Sequence, residues 1–214
     1  MHQTIKNLNS IKKELELVNS KIPSIIAVSK TFSISNILPL IEHGHIHFGE
    51  NKVQEALEKW PNIKSNFNKI KLHMLGKLQT NKVKFALPVF DFIHSLDNEK
   101  LAQKIASEQK KYEKKPKIFI QVNIGEETQK SGIHKDKLKD FFLFCKDLEL
   151  DIQGLMCIPP MKSDPVPFFE KINSLNKELN LNQSSMGMSA DYVKAAKNSS
   201  TFLRIGSKIF GERN

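Results

Sequence analysis

Short apolar runs rich in β-branched residues recur along this chain, separated by stretches whose apolar positions fall three and four residues apart. The first pattern is that of buried strands and the second that of amphipathic helices. Leu8, Ile11, Leu15 and Val18 predict an opening helix over residues 2–20, and Ile25-Ile26-Ala27-Val28 predict a first strand over 24–29. A helix over 33–42 follows, with Ile34, Ile37, Leu38 and Ile41 on one face, Ser33 as N-cap and Gly44 as its stop. His45-Ile46-His47-Phe48 alternates as a second strand. Gly49-Glu50-Asn51 then turns into a helix carrying Val53, Leu57 and Trp60, where Asn51 and Gln54 have the spacing of a capping box.

The same reading continues to the end. Strands are predicted over 70–75, 90–95, 118–122, 152–158, 184–189 and 201–206. Between them lie a helix from Lys77 that Pro88 closes, one capped by Asp97 over 99–112, and one over 135–148 with Leu138, Phe141, Phe142 and Cys145 buried. Phe168, Ile172, Leu175 and Leu179 mark a further helix, residues 191–197 a short one, and 207–211 a final turn. The lysine-rich stretch 110–117 reads as a solvated connection, and 125–132 as a polar loop. Eight strand–helix alternations without a composition break imply a parallel sheet. Eight units suit a closed (β/α)8 barrel with an extra N-terminal helix, one domain over residues 1–214.

Composition narrows the class. No apolar run approaches a membrane span and the first 20 residues lack a signal-peptide core, so a cytoplasmic protein is expected, with no membrane partner. Cys145 and Cys157 lack metal-ligand spacing and read as buried hydrophobes in a reducing compartment, with a reactive role for Cys157 open because it nears a strand end. The net charge of +10 suits nucleic acid, but the lysines are scattered and aromatic residues do not interleave with them. No specific nucleic-acid partner is expected. His45 and His47 would share a strand face, yet no third metal ligand follows by spacing, and no metal is expected. There is neither a GxGxxG nor a Walker loop.

In such a barrel the working face is the carboxyl end of the strands, with phosphate often held after strands 7 and 8. Met186-Gly187-Met188-Ser189 and Ile205-Gly206-Ser207 fall at those two positions, each with a glycine and a serine before a helical turn. Arg204, one residue from the second loop, is either half of an internal ion pair or a fixed cation hydrogen-bonding a cofactor ring nitrogen. Lys30 ends strand 1, the neighbour of strand 8. Alone it reads as an exposed strand-end lysine. With the two loops it reads as an amine that holds an aldehyde cofactor as an imine, and Glu50 and Asn51 as pocket residues at the next strand end.

The segments Ala27-Val28-Ser29-Lys30, Phe48-Gly49-Glu50-Asn51, Gly76 with Leu78-Gln79 and Asn81-Lys82, Gly154-Leu155-Met156, Ser185-Met186-Gly187-Met188-Ser189 and Arg204-Ile205-Gly206-Ser207 with Ile209-Phe210-Gly211 resemble the pyridoxal-phosphate homeostasis proteins, relatives of the alanine racemase N-terminal barrel. The resemblance spans almost the whole chain. It implies pyridoxal 5'-phosphate as cofactor, Lys30 as the internal-aldimine lysine, Ser189, Gly206 and Ser207 around the phosphate, Arg204 at the pyridine nitrogen, and Asn51 and Met186 lining the pocket. It implies a role in vitamin B6 homeostasis as carrier or regulator. Cofactor-dependent apoenzymes are the candidate partners, and a monomer is expected. Lys52 and Lys77 depart from the family pattern, which bears on pocket shape and partner contacts.

Racemisation needs a second acid/base opposite the lysine, which racemase-like relatives supply as a tyrosine from an added β-domain. This sequence ends at Asn214, soon after strand 8, and holds Tyr112, expected to be remote, and Tyr192, next to a phosphate loop. A carrier without catalytic residues is therefore the leading expectation. The alternatives are a weak racemase or lyase and a basic RNA-binding barrel.

Overall fold

The computed structural model describes residues 1–113 and 115–212. Lys114 of the predicted solvated connection, and Arg213 and Asn214 at the end, lie outside the described residues. The strands are β1 (Ser24–Val28), β2 (His47–Glu50), β3 (Lys71–Met74), β4 (Phe92–Leu96), β5 (Lys117–Val122), β6 (Ile152–Cys157), β7 (Gln183–Met188) and β8 (Phe202–Ile205). They pair in parallel in chain order and close on themselves, β8 lying beside β1 with Ile26 opposite Arg204 and Ala27 opposite Ile205. The helices are α1 (Gln3–Glu16), α2 (Ile34–Glu42), α3 (Val53–Asn66), α4 (Val83–Ala86), α5 (Glu99–Gln109), α6 (Leu138–Asp147), α7 (Val166–Glu178), α8 (Tyr192–Lys197) and α9 (Ser207–Phe210). The (β/α)8 barrel with an N-terminal helix is the architecture expected from alternation.

Two apolar layers hold it together. The larger lies between sheet and helices, where Leu8, Ile11 and Leu15 of α1, Trp60 of α3 and Phe169 of α7 pack on the outward side chains of the strands. The smaller fills the barrel: Ile26, Phe92, Phe119, Met156 and Phe202, with Leu75 against them. Alternation along each strand assigns the layers, since successive side chains point to opposite faces. Phe92 and His94 thus share the interior aromatic cluster, while Ile93 between them joins the outer layer.

Local boundaries differ where tertiary partners override local signals. Strand β2 starts at His47 rather than His45 and runs through Gly49 and Glu50, because Gly49 pairs with both Val28 and His73. The predicted Asn51–Gln54 capping box is absent: α3 starts at Val53, and Lys52 at its N-cap makes no side-chain cap bond. Asn98, not Asp97, caps α5, accepting from Leu101 N at 2.9 Å. Asp97 instead accepts from Gly132 N at 3.3 Å, tying the polar loop to the rim. Ser33 stands at the N-cap of α2 but its hydroxyl bonds Ser35 rather than a helix N–H. Residues 77–79 and 135–137 are not α-helical; single 3₁₀ turns at Thr80–Lys82 and Lys135–Lys137 lead into α4 and α6.

Candidate functional site

A cavity of about 550 Å³ opens at the carboxyl ends of the strands. Lys30, Asn51, Ser189, Arg204, Gly206 and Ser207 all line it, together with Val28, Leu75, Met156, Ile158, Met188, Ala190 and Glu212. A larger cavity, about 660 Å³, opens at the opposite mouth beside Pro23, Gln183 and Thr201 and contains none of these residues.

The residues after β1 are clamped from outside the barrel. Thr31 has a positive φ of 69°. Its N–H donates to Glu55 Oε1 at 2.6 Å, and Lys59 Nζ donates to Ser29 O at 3.0 Å, Phe32 O at 3.2 Å and Glu55 Oε1 at 2.8 Å. Lys59 also lies 2.8 Å from Glu50 Oε1, which accepts from Ser29 Oγ at 2.8 Å and Trp60 Nε1 at 3.0 Å. Burial outweighs these contacts and raises the Glu50 pKa above its ordinary 4.5. Glu50 is therefore a fastener between β2, α3 and the Lys30 segment. It does not line the cavity, which corrects the sequence reading. Asn51, one residue on, does line it, and Gly76 is packed against it: a Cβ there would lie 2.2 Å from Asn51 O.

The two loops expected to hold phosphate meet. Ser189 Oγ accepts from Gly206 N at 3.3 Å and Lys208 N at 3.4 Å, so backbone N–H groups after β8 converge on a hydroxyl after β7. Asp191 closes the first loop by accepting from Met188 N at 2.6 Å. Met186 does not line the cavity. It is fully buried in the outer layer, while Met188 reaches the rim. Gly187 takes φ +91° and the β7–β8 pairing shifts register between Ser185 and Met188, which interrupts the alternation there and corrects the pocket role that the resemblance implied for Met186.

Arg204 is 6 % exposed and has no carboxylate partner among the described residues. Its Nη1 donates to Ser185 O at 2.5 Å and Ser185 Oγ at 2.8 Å, and its Nη2 to Cys157 O at 2.8 Å. Burial lowers its pKa from the ordinary arginine value. Cys157 is fully buried and its thiol is pushed up to about 12, as is that of Cys145, so neither sulfur has the environment of a nucleophile.

Behind Arg204 runs a chain of side chains that sequence reading missed. Ser185 Oγ lies 2.8 Å from His94 Nδ1, His94 Nε2 lies 2.8 Å from His73 Nδ1, and His73 Nε2 lies 2.9 Å from His47 Nδ1. His73 stacks on Phe92 and His94 on Phe119. Each histidine sits at an inward position of its strand, a signal present in the alternation but meaningless until β2, β3, β4 and β7 are wrapped together. His45 and His47 form no ligand pair, since His45 Nε2 donates to His47 O at 2.9 Å. Among the described residues no group of histidine, cysteine and carboxylate side chains converges for a metal.

Neither tyrosine reaches the cavity. The Tyr192 hydroxyl bonds Glu14 of α1 and lies 2.8 Å from Lys208 Nζ, and the Tyr112 hydroxyl donates to Lys84 O at 3.2 Å. Lys52, Lys77 and Lys82 line a smaller neighbouring cavity of about 370 Å³ that shares Asn51. Among the described residues no helix is long and apolar enough to cross a membrane.

The closed barrel gathers its polar groups between the ends of β1, β7 and β8, and the model of the family described as "Alanine racemase, N-terminal domain" matches residues 6–214, which places the chain in that class. Alanine racemase from Clostridium difficile shares the fold at a TM-score of 0.77, with 13 % identity over 99 % of this chain and 57 % of its own. The pyridoxal phosphate homeostasis protein of Haemophilus influenzae is 34 % identical over 97 % of this chain and 95 % of its own. The PLP-bound structure of PipY from Synechococcus elongatus superposes at a TM-score of 0.86, with 30 % identity over 98 % of this chain and all of its own. The chain belongs to the pyridoxal phosphate homeostasis protein family.

Proposed function

We propose that this protein holds pyridoxal 5'-phosphate at the carboxyl rim of its barrel and acts as a carrier in the homeostasis of that cofactor, without catalytic turnover. One observation carries the reading: six of the seven residues expected around such a cofactor line a single cavity. The donor set suits the group. Serine hydroxyls and the N–H groups of Gly206 and Lys208 suit a phosphate. A buried guanidinium, a donor without an acceptor atom and fixed by Ser185 and Cys157, suits an unprotonated ring nitrogen. The half-buried Lys30, on a segment fastened by Lys59 and Glu55, supplies an amine to bind the aldehyde carbon with loss of water. When bound, the cofactor supplies an electron sink, and Arg204 would hold its ring nitrogen and keep that sink weak. Asn51, Met156 and Leu75 line the same cavity as the amine and the guanidinium.

Turnover needs a second proton carrier across the substrate carbon from Lys30. Tyr192 is engaged with Glu14 and Lys208 instead. Glu212 is exposed at the cavity edge and is the carboxylate among its lining residues. Purified protein mixed with pyridoxal 5'-phosphate should turn yellow, borohydride should fix the cofactor on Lys30, and a cofactor-dependent apoenzyme should regain activity when mixed with the loaded protein. Label on another lysine refutes the site. Sustained interconversion of D- and L-amino acids, lost in Lys30→Ala, refutes the carrier reading in favour of a weak racemase.

A further inference from the structure

The barrel interior holds a hydrogen-bonded line from one mouth to the other, and donor counting gives it a direction. Arg204 can only donate, and its Nη1 donates to Ser185 Oγ. Ser185 is fully buried, and His94 Nδ1 is the other partner of its hydroxyl among the described residues. A buried hydroxyl hydrogen without an acceptor is costly, so Ser185 donates to His94 Nδ1. A neutral ring carries one N–H. His94 therefore holds it on Nε2 and donates to His73 Nδ1, and His73 holds it on Nε2 and donates to His47 Nδ1. His47 then also holds its proton on Nε2. It is half-buried and lines a cavity of about 380 Å³ at the amino-terminal mouth, where the line ends. In the reverse direction Ser185 Oγ would accept twice and its own hydrogen would have no partner.

We propose that Ser185, His94, His73 and His47 form a one-way relay of positioning residues that fixes the guanidinium of Arg204, and through it the donor presented to the ligand in the rim cavity. The proposal rests on the cofactor reading only for what Arg204 meets. The direction of the relay stands on the protein alone. An extra proton on His73 or His47 would set N–H against N–H, and one on His94 would set N–H against the Ser185 O–H, so the relay works only when uncharged. Its surroundings agree: the rings lie between Phe92, Phe119 and Phe202. The charged and titratable groups acting on them are Arg204 at one end and Lys71, Asp91, Lys64 and His45, with Lys12 beyond it, at the other. Burial pulls His47 down to about 4 and His73 and His94 well below the usual imidazole value.

Nitrogen-15 NMR of the histidine side chains in the wild-type protein tests the direction without any variant. At neutral pH, His47, His73 and His94 should each be neutral with the proton on Nε2; an Nδ1–H tautomer or an imidazolium at any of the three overturns the relay. His94→Phe keeps the stack on Phe119 but removes the acceptor for Ser185, and should weaken pyridoxal 5'-phosphate retention roughly tenfold, as expected for disturbing one hydrogen bond to a charged group. It should also shift the pH profile of the bound cofactor's visible band. His94→Gln, with an amide oxygen facing Ser185 and an amide nitrogen facing His73, should restore both. Wild-type retention and pH profile in His94→Phe overturn the positioning role. A wild-type protein that takes up no cofactor overturns the carrier reading instead, while the ring tautomers still decide the relay.

Discussion

Replacing Lys59 with methionine keeps the aliphatic stem and deletes the ammonium that fastens the Lys30 segment. Lys59 is 11 % exposed at its side chain and Glu50 not at all. The substitution strands Glu50 in the fold and leaves Ser29 O and Phe32 O without their side-chain donor. Removing one partner of a buried pair costs about 3–5 kcal/mol. The lower end applies here, because Ser29 and Trp60 still donate to Glu50 and its carboxyl can protonate. With a urea slope of about 2–3 kcal/mol per M, a loss of about 3 kcal/mol lowers the midpoint by about 1 M. Trp60 is the single tryptophan of the chain and donates to Glu50, so its fluorescence reports the transition from within the cluster. The pH dependence has a definite sign. Folding raises the Glu50 pKa, so stability from this group is full below its ordinary 4.5 and is lost as pH rises through the folded value. Losing Lys59 enlarges that rise. The gap between variant and wild type should therefore be widest near about pH 8 and narrow toward about pH 5. A midpoint shift below about 0.3 M, or an equal shift at both pH values, would refute the reasoning.

Gly76→Ala places a Cβ 2.2 Å from the Asn51 carbonyl oxygen, so the two backbones must separate. We expect a loss of about 1–3 kcal/mol by calorimetry together with weaker cofactor retention; wild-type values in both would show that Asn51 is not held by this contact. The thiols of Cys145 and Cys157, both pushed up to about 12, hold roughly one part in ten thousand as thiolate near about pH 8. A thiol-reactive disulfide reagent should label neither in the folded protein and both in urea; rapid labelling of the native chain would contradict the burial.

Sequence alone made the barrel legible because the information is local. Periods of 2 and 3.6, a glycine or proline at many element ends, and eight repeats of the pair specify a closed parallel sheet. The same rule put Lys30, Asn51, Ser189, Arg204, Gly206 and Ser207 at strand ends that such a barrel gathers at one mouth. Closure of β8 onto β1 then brought together residues more than 170 positions apart. Three features needed the tertiary structure. Met186 faces away because a register shift and the positive φ of Gly187 interrupt the alternation, and no local pattern announces a shift set by the neighbouring strand. Glu50 is a fastener rather than a pocket residue, because its donors come from Lys59 and Trp60 on the helix that folds back over β2. The line from His47 to Arg204 joins five residues spread over 158 positions, and only inward facing in a common barrel gives them partners. Period and punctuation act between chain neighbours and are written in the sequence; hydrogen bonds across the barrel depend on side chains meeting through space, which the closed fold alone decides.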